Sequence, residues 1–150
     1  MDRAYIVENN ESRERLIKLV NEITDKELEL VIYKEGWTIA VMLGHLAFWD
    51  ERRRVMLKIW KEKGVSPIPY ILDIVNDTLI PILLAIPPRK VAELAVSTAE
   101  ALDKELEELL PEMITSIEAL QEPTALNRGI HRKMHLDEID TFLKTKRKAK

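Results

Sequence analysis

Apolar positions recur at helical spacing in four stretches of the chain. The first is Leu16, Leu19, Val20 and Ile23, at i, i+3, i+4 and i+7, with Arg13, Glu14 and Lys18 expected on the outer face. Asp25 and Lys26 begin a break, and a short apolar turn follows over Leu28–Tyr33. Gly36 can close that turn, and Thr38 is a good N-cap for the second helix. That helix carries Ile39, Met42, Leu43, Leu46, Trp49, Arg53, Met56 and Trp60 on one stripe, and Gly64 and Pro67 stop it. In Ile68–Ile86, Ile71, Leu72, Val75 and Leu79 have helical spacing, but Pro81 is expected to break or kink the segment. Pro87-Pro88 suits the first turn of a third helix with the stripe Val91, Leu94, Ala95, Thr98, Leu102, Leu106 and Leu109. Pro123, Asn127 and Gly129 mark a loop. A fourth helix spans about Ile130 to Leu143, with Met134, His135, Ile139 and Phe142 expected inward.

No strand alternation is present. The pattern predicts an all-α fold, a four-helix bundle with a long crossover between helices 2 and 3. The 150 residues suit a single domain, 1–150, with no repeat or flexible linker to divide it. The most apolar run, Leu79–Pro88, is half the roughly 20 residues of a membrane helix and is broken by prolines, so it is expected in core or interface, with no membrane partner.

Charge and composition narrow the function. Net charge is −3, which argues against a nucleic-acid partner. Arg52-Arg53-Arg54 is expected on a solvated helix face, and the basic tail from Lys144 to Lys150 in a frayed helix end. The chain has no cysteine, which excludes disulfides, a thiolate-ligated metal and a cysteine nucleophile, and fits a cytoplasmic location. Met1–Asn10 lacks the apolar core of a secretory signal.

The chain contains three histidines. His131 and His135 are four apart on one predicted helix, a spacing at which two imidazoles can grip one ion. His45 lies mid-helix among apolar residues, on the side of Thr38, Val41, Phe48, Trp49 and Met56, so its ring needs a partner. On spacing alone, a hydrogen-bonded core histidine and two surface histidines explain the pattern equally well. Glu138, three residues after His135, is a candidate general base or partner to a ligand, although an exposed helical glutamate is the commoner fate. Trp37, Trp49 and Trp60 are expected in the core or in a pocket wall.

The stretch Gly36-Trp37-Thr38-Ile39-Ala40-Val41-Met42-Leu43-Gly44-His45-Leu46-Ala47 resembles the second-helix signature of the DinB-like (YfiT-like) metal-binding four-helix bundle family. His131-Arg132-Lys133-Met134-His135-Leu136-Asp137-Glu138-Ile139 is similar to that family's late helix, and Ile74-Val75-Asn76-Asp77 to a segment before its third helix. The resemblance implies an up-down-down-up bundle in which His45, His131 and His135 hold a divalent metal ion, zinc or nickel. It also implies one of several activities: transfer or isomerisation with a low-molecular-weight thiol, metal-dependent hydrolysis, or none. Three neutral imidazoles leave the ion's charge uncompensated and a coordination position open to water or an anionic substrate atom. A thiolate suits that position best, and with no cysteine in the chain it would arrive on a cosubstrate. The expected function is therefore a metal-dependent transferase acting on a small-molecule substrate with a small thiol. A metal-dependent hydrolase and a non-catalytic metal-binding bundle are the alternatives, and a homodimer is one expected assembly.

Overall fold

The computed structural model describes residues 3–33, 36–69 and 72–149; Ile71 and Lys150 of the expected helix and tail lie outside them. The elements are helices α1 (Ala4–Glu22), α2 (Asp25–Leu28), α3 (Ile39–Lys63), α4 (Leu72–Leu84), α5 (Pro88–Glu107) and α6 (Pro111–Glu118), a 3-10 turn (Pro123–Ala125), and α7 (Gly129–Lys148). Among the described residues the one β contact is an isolated bridge, Val31 to Thr38.

Side-chain pairings give the topology. Tyr5 reaches Leu106 and Arg89 reaches Val20, so α1 and α5 are antiparallel. Asn9 meets Arg128 and Arg147 meets Glu27, beyond the far end of α1, so α1 and α7 are parallel. Asp50 meets Arg128 while His45 meets His131, so α3 and α7 are antiparallel. Arg54 meets Glu105 and Gly44 lies against Val91, so α3 and α5 are parallel. The result is the expected up-down-down-up bundle, with α4 inside the crossover.

Local signals explain the element ends. Thr24 and Glu27 form a reciprocal capping box that makes the expected break a short helix, α2. Gly36 takes φ +81 and Thr38 accepts from the Val41 amide, starting α3 as the sequence indicates. Of the break or kink expected at Pro81, the break does not occur: α4 runs through it to Leu84. Pro81 and Asp77, whose carbonyl the ring leaves without an intrahelical partner, are both exposed, on the solvent side of the helix. The Leu79–Pro88 run supplies part of the core, as expected: Leu79, Ile80 and Ile86 pack, partly buried, against the cluster around Leu83. Leu83 is buried against Val41 and Val91, while Ile82 and Leu84 are exposed. Helix α6, with Pro111 at its start and Ile114 and Ile117 buried, has no counterpart among the four expected helices.

Two stripes are rotated from expectation. On α5 the buried line is Val91, Ala92, Ala95, Ala99, Leu102, Asp103 and Leu106, while Leu94 is exposed and Thr98 half-buried. On α7 the buried line is Arg132, Leu136, Ile139 and Leu143, and Met134 is 51% exposed. The apolar core is thereby divided. One cluster holds Leu16, Leu43, Leu46 and Leu136; the other holds Tyr5, Met56, Trp60 and Leu106. Between them lies a polar layer in which Arg132 donates to Asp50 and Asp103, Arg128 to Asp50, and Arg13 to Asp103. Arg13 is thus not simply on an outer face.

Candidate metal centre

His45 stands two turns into α3, fixed in phase by the Thr38 cap. His131 sits in the first turn of α7. That turn is capped from α1, because the buried Asn9 side chain accepts from the Arg128 and Gly129 amides at 2.7 and 3.1 Å. The amide of Asn9 also donates to the Leu126 carbonyl at 2.9 Å, tying the preceding loop to α1. His135 follows one turn after His131 on the same face.

The three rings converge. His131 Nε2 lies 3.0 Å from His45 Nε2 and 3.2 Å from His135 Nε2. Nitrogens tetrahedrally disposed about an ion at 2.0–2.1 Å are spaced by about 3.3 Å, so the cluster fits a divalent ion with three imidazole ligands. One ligand atom from each residue lies within 4.8 Å of the others, and the group can hold a metal ion. Burial keeps the rings uncharged. It pushes the His45 pKa down to about 4, with help from the neighbouring His135, which a second proton would repel. It pushes His131 down to about 2, aided by His135 and then Arg128. His135 is also lowered by burial, against the opposing pull of Glu138. Neutral imidazoles carry the lone pairs that ligation needs.

Glu138 lies beside the cluster. Its Oε2 is 3.5 Å from His135 Nδ1, the nitrogen facing away from the other rings, and accepts a short hydrogen bond from the Tyr33 hydroxyl. Partial burial and Glu138 together hold the Tyr33 pKa up at about 12, so the hydroxyl stays a donor.

The histidines open into a cavity of about 400 Å³. Trp37 and Trp49 meet the His45 ring edge-on, with centroids 5.7 and 6.2 Å away, and Trp49 donates to Asn76 of α4 at 3.2 Å. Trp60 is instead core, 2% exposed. The Arg52–Arg54 run is not a solvated face. Arg52 and Arg53 line the cavity, and Arg54 bridges Glu51 and Glu105. The tail is helical to Lys148, and Arg147 pairs with Glu27. Sequence reasoning missed Asp50, Asp103, Arg128 and Arg132 altogether. The signal was present, because extending the stripe Ile139, Leu136 backwards by four residues lands on Arg132 and then Arg128. No helix among the described residues is long and apolar enough to cross a membrane.

Comparison with known proteins gives one assignment. A sequence model of the DinB superfamily matches residues 8–141. Searches of curated proteins and of solved structures each gave no significant match.

Proposed function

Since the chain belongs to the DinB superfamily and gathers three neutral imidazoles at one wall of a cavity, we propose that it is a metal-dependent transferase acting with a small-molecule thiol. The observation that carries this reading is the convergence of the His45, His131 and His135 Nε2 atoms, 3.0 and 3.2 Å apart, with no carboxylate among the described residues of the cavity lining.

His45, His131 and His135 would hold the ion, zinc or nickel. When bound, that ion supplies a Lewis-acid centre at which a soft sulfur donor gives up its proton. The chain's own residues account for the rest. Glu138, 3.5 Å from His135 Nδ1, would orient that ring when the ion is bound, and the Tyr33 hydroxyl holds Glu138 in place. Trp37, Trp49 and Met42 give the cavity apolar walls that exclude water and position an electrophile. Among the described residues no carboxylate lines the cavity, so a transfer in which the protein contributes position rather than a base fits that lining.

A hydrolase is the second reading, favoured by Glu138, whose carboxylate stands one residue contact behind the cluster. The two separate on the cobalt-substituted protein. Sulfur bonded to cobalt gives a charge-transfer absorption, expected on adding small thiols to the wild type and absent in His135→Ala. An unchanged spectrum together with turnover of an ester or amide would sink the transferase reading in favour of the hydrolase.

A further inference from the structure

Ligation through Nε2 decides where the remaining proton of each imidazole sits. The Nε2 atoms of His45, His131 and His135 are the ones that converge. With an ion among them, each neutral ring carries its proton on Nδ1, and a buried N–H needs an acceptor. The Nδ1 atoms of His45 and His135 are both buried, and among the described residues neither makes a hydrogen bond. His135 has Glu138 nearby, 3.5 Å from its Nδ1. His45 needs a partner of its own.

That partner stands on α4. Asn76 lines the cavity with His45 and Trp49, and its Oδ1 accepts from Trp49 Nε1 at 3.2 Å. Trp49 follows His45 by one turn of α3 and meets the imidazole edge-on, with ring centroids 6.2 Å apart. The oxygen that Trp49 engages is therefore beside the His45 ring. Burial and then the neighbouring His135 lower the His45 pKa, and the Asn76 side chain, as an acceptor of the ring proton, pulls the other way. An amide oxygen has two lone pairs, enough for both N–H groups.

We infer that Asn76 is a positioning residue of the metal centre: when an ion takes His45 Nε2, Asn76 Oδ1 accepts from His45 Nδ1 as well as from Trp49, and fixes the rotation of the ring. Helix α4, inside the crossover, then becomes part of the support of the site. The inference rests on the reading above only for an ion at the three histidines, and is independent of the thiol and of the reaction.

The full chain loaded with zinc tests it. In the wild type, proton NMR should show His45 Hδ1 in close through-space contact with Trp49 Hε1, because the two protons share one acceptor. Lack of that contact would overturn the inference without any substitution. Asn76→Ala should raise the zinc dissociation constant about tenfold or more and let His45 Hδ1 exchange with water faster than His135 Hδ1. Asn76→Asp keeps an oxygen in the same place and should restore both the affinity and the slow exchange. Thermal melting of the metal-free variants shows that they fold. A folded Asn76→Ala with wild-type affinity, or an Asn76→Asp as impaired as Asn76→Ala, would overturn the inference. A wild type that takes up no zinc, cobalt or nickel would overturn the metal centre itself, an outcome distinct from all of these.

Discussion

Arg132 of α7 places two donors, Nε and NH2, on a single oxygen of Asp50 in α3, at 3.1 and 3.0 Å. NH1 and NH2 also donate to Asp103 of α5, at 2.9 and 2.8 Å, and NH1 reaches the Asn9 carbonyl and the Ser12 hydroxyl of α1, both at 3.4 Å. One buried guanidinium, 0% exposed, therefore ties together all four long helices, one residue away from His131.

Replacing Arg132 with Met should be severe. It leaves Asp50 and Asp103 buried without their shared cation, a loss of about 3–5 kcal/mol read as a drop in urea midpoint. Burial already raises the Asp103 pKa against the pull of Arg132. The deficit should narrow as pH falls, because a protonated carboxyl is cheaper to bury. A deficit constant from pH 7 to 5 would contradict this account.

Metal analysis of the purified protein should give one divalent ion per chain. Each of His45→Ala, His131→Ala and His135→Ala should take the stoichiometry far below one. Glu138→Gln should keep the ion but weaken its affinity by about 10–100-fold, since it removes the negative charge behind His135. Chelation should lower the melting temperature only modestly, because two apolar clusters hold the bundle without the ion. Unfolding on chelation at room temperature would show the ion to be structural.

The metal-free protein should lose stability as pH falls from about 6.5. Folded His45 and His131 take up protons only near 4 and 2, whereas in the unfolded chain they do so near 6.5. The unfolded state then binds more protons, and stability falls by up to about 1.4 kcal/mol per pH unit for each histidine. Glu27, held at about 2 chiefly by its hydrogen bond to Arg147, acts in the same direction only below 4.5. Urea titrations between pH 6.5 and 5 should therefore show a slope in wild type that a variant with all three histidines changed to Asn lacks.

Asn9→Ala should cost about 2 kcal/mol, because α7 has no cap of its own and Asn9 supplies it from α1. Chemical denaturation measures the loss. Amide exchange at Arg128 and Gly129 should accelerate more than exchange elsewhere in α7.

Gly44→Ala should destabilise despite the better helix propensity of alanine. A Cβ there would stand 2.7 Å from Val91 Cγ1 and from both Leu83 methyls. Leu83 can turn aside, but Val91 is β-branched and fully buried. Crowding of about 1–3 kcal/mol then outweighs a propensity gain of about 1 kcal/mol, giving a lower melting temperature.

Much of this was legible in the sequence. The cap at Thr38, the turn at Gly36 and the three histidines follow from local chemistry that needs no partner. What escaped was the polar layer, and the reason is physical. Periodicity finds helix faces by their apolar residues, so a face that buries two arginines reads as solvated, and the α7 face was expected one position round, at Met134. On α5 the buried face is built from Ala92, Ala95 and Ala99, small residues that let α3 and α5 approach closely, whereas Leu94, the larger apolar side chain, faces out. Pro81 misled because a proline breaks a helix only where its neighbours need the missing amide.

The layer of Asp50, Asp103, Arg128 and Arg132 also acts as a register key. A slide of α7 along α3 by one turn, about 5.4 Å, would leave apolar contacts available but would drive Arg132 into leucine and alanine on either side. Only one alignment seats every charge. Because His131 adjoins Arg132 in sequence and His45 lies five residues before Asp50, the same alignment dictates the separation of the imidazoles. The spacing of the site is thus set by the core behind it, and the histidines are brought to ligand distance by folding itself.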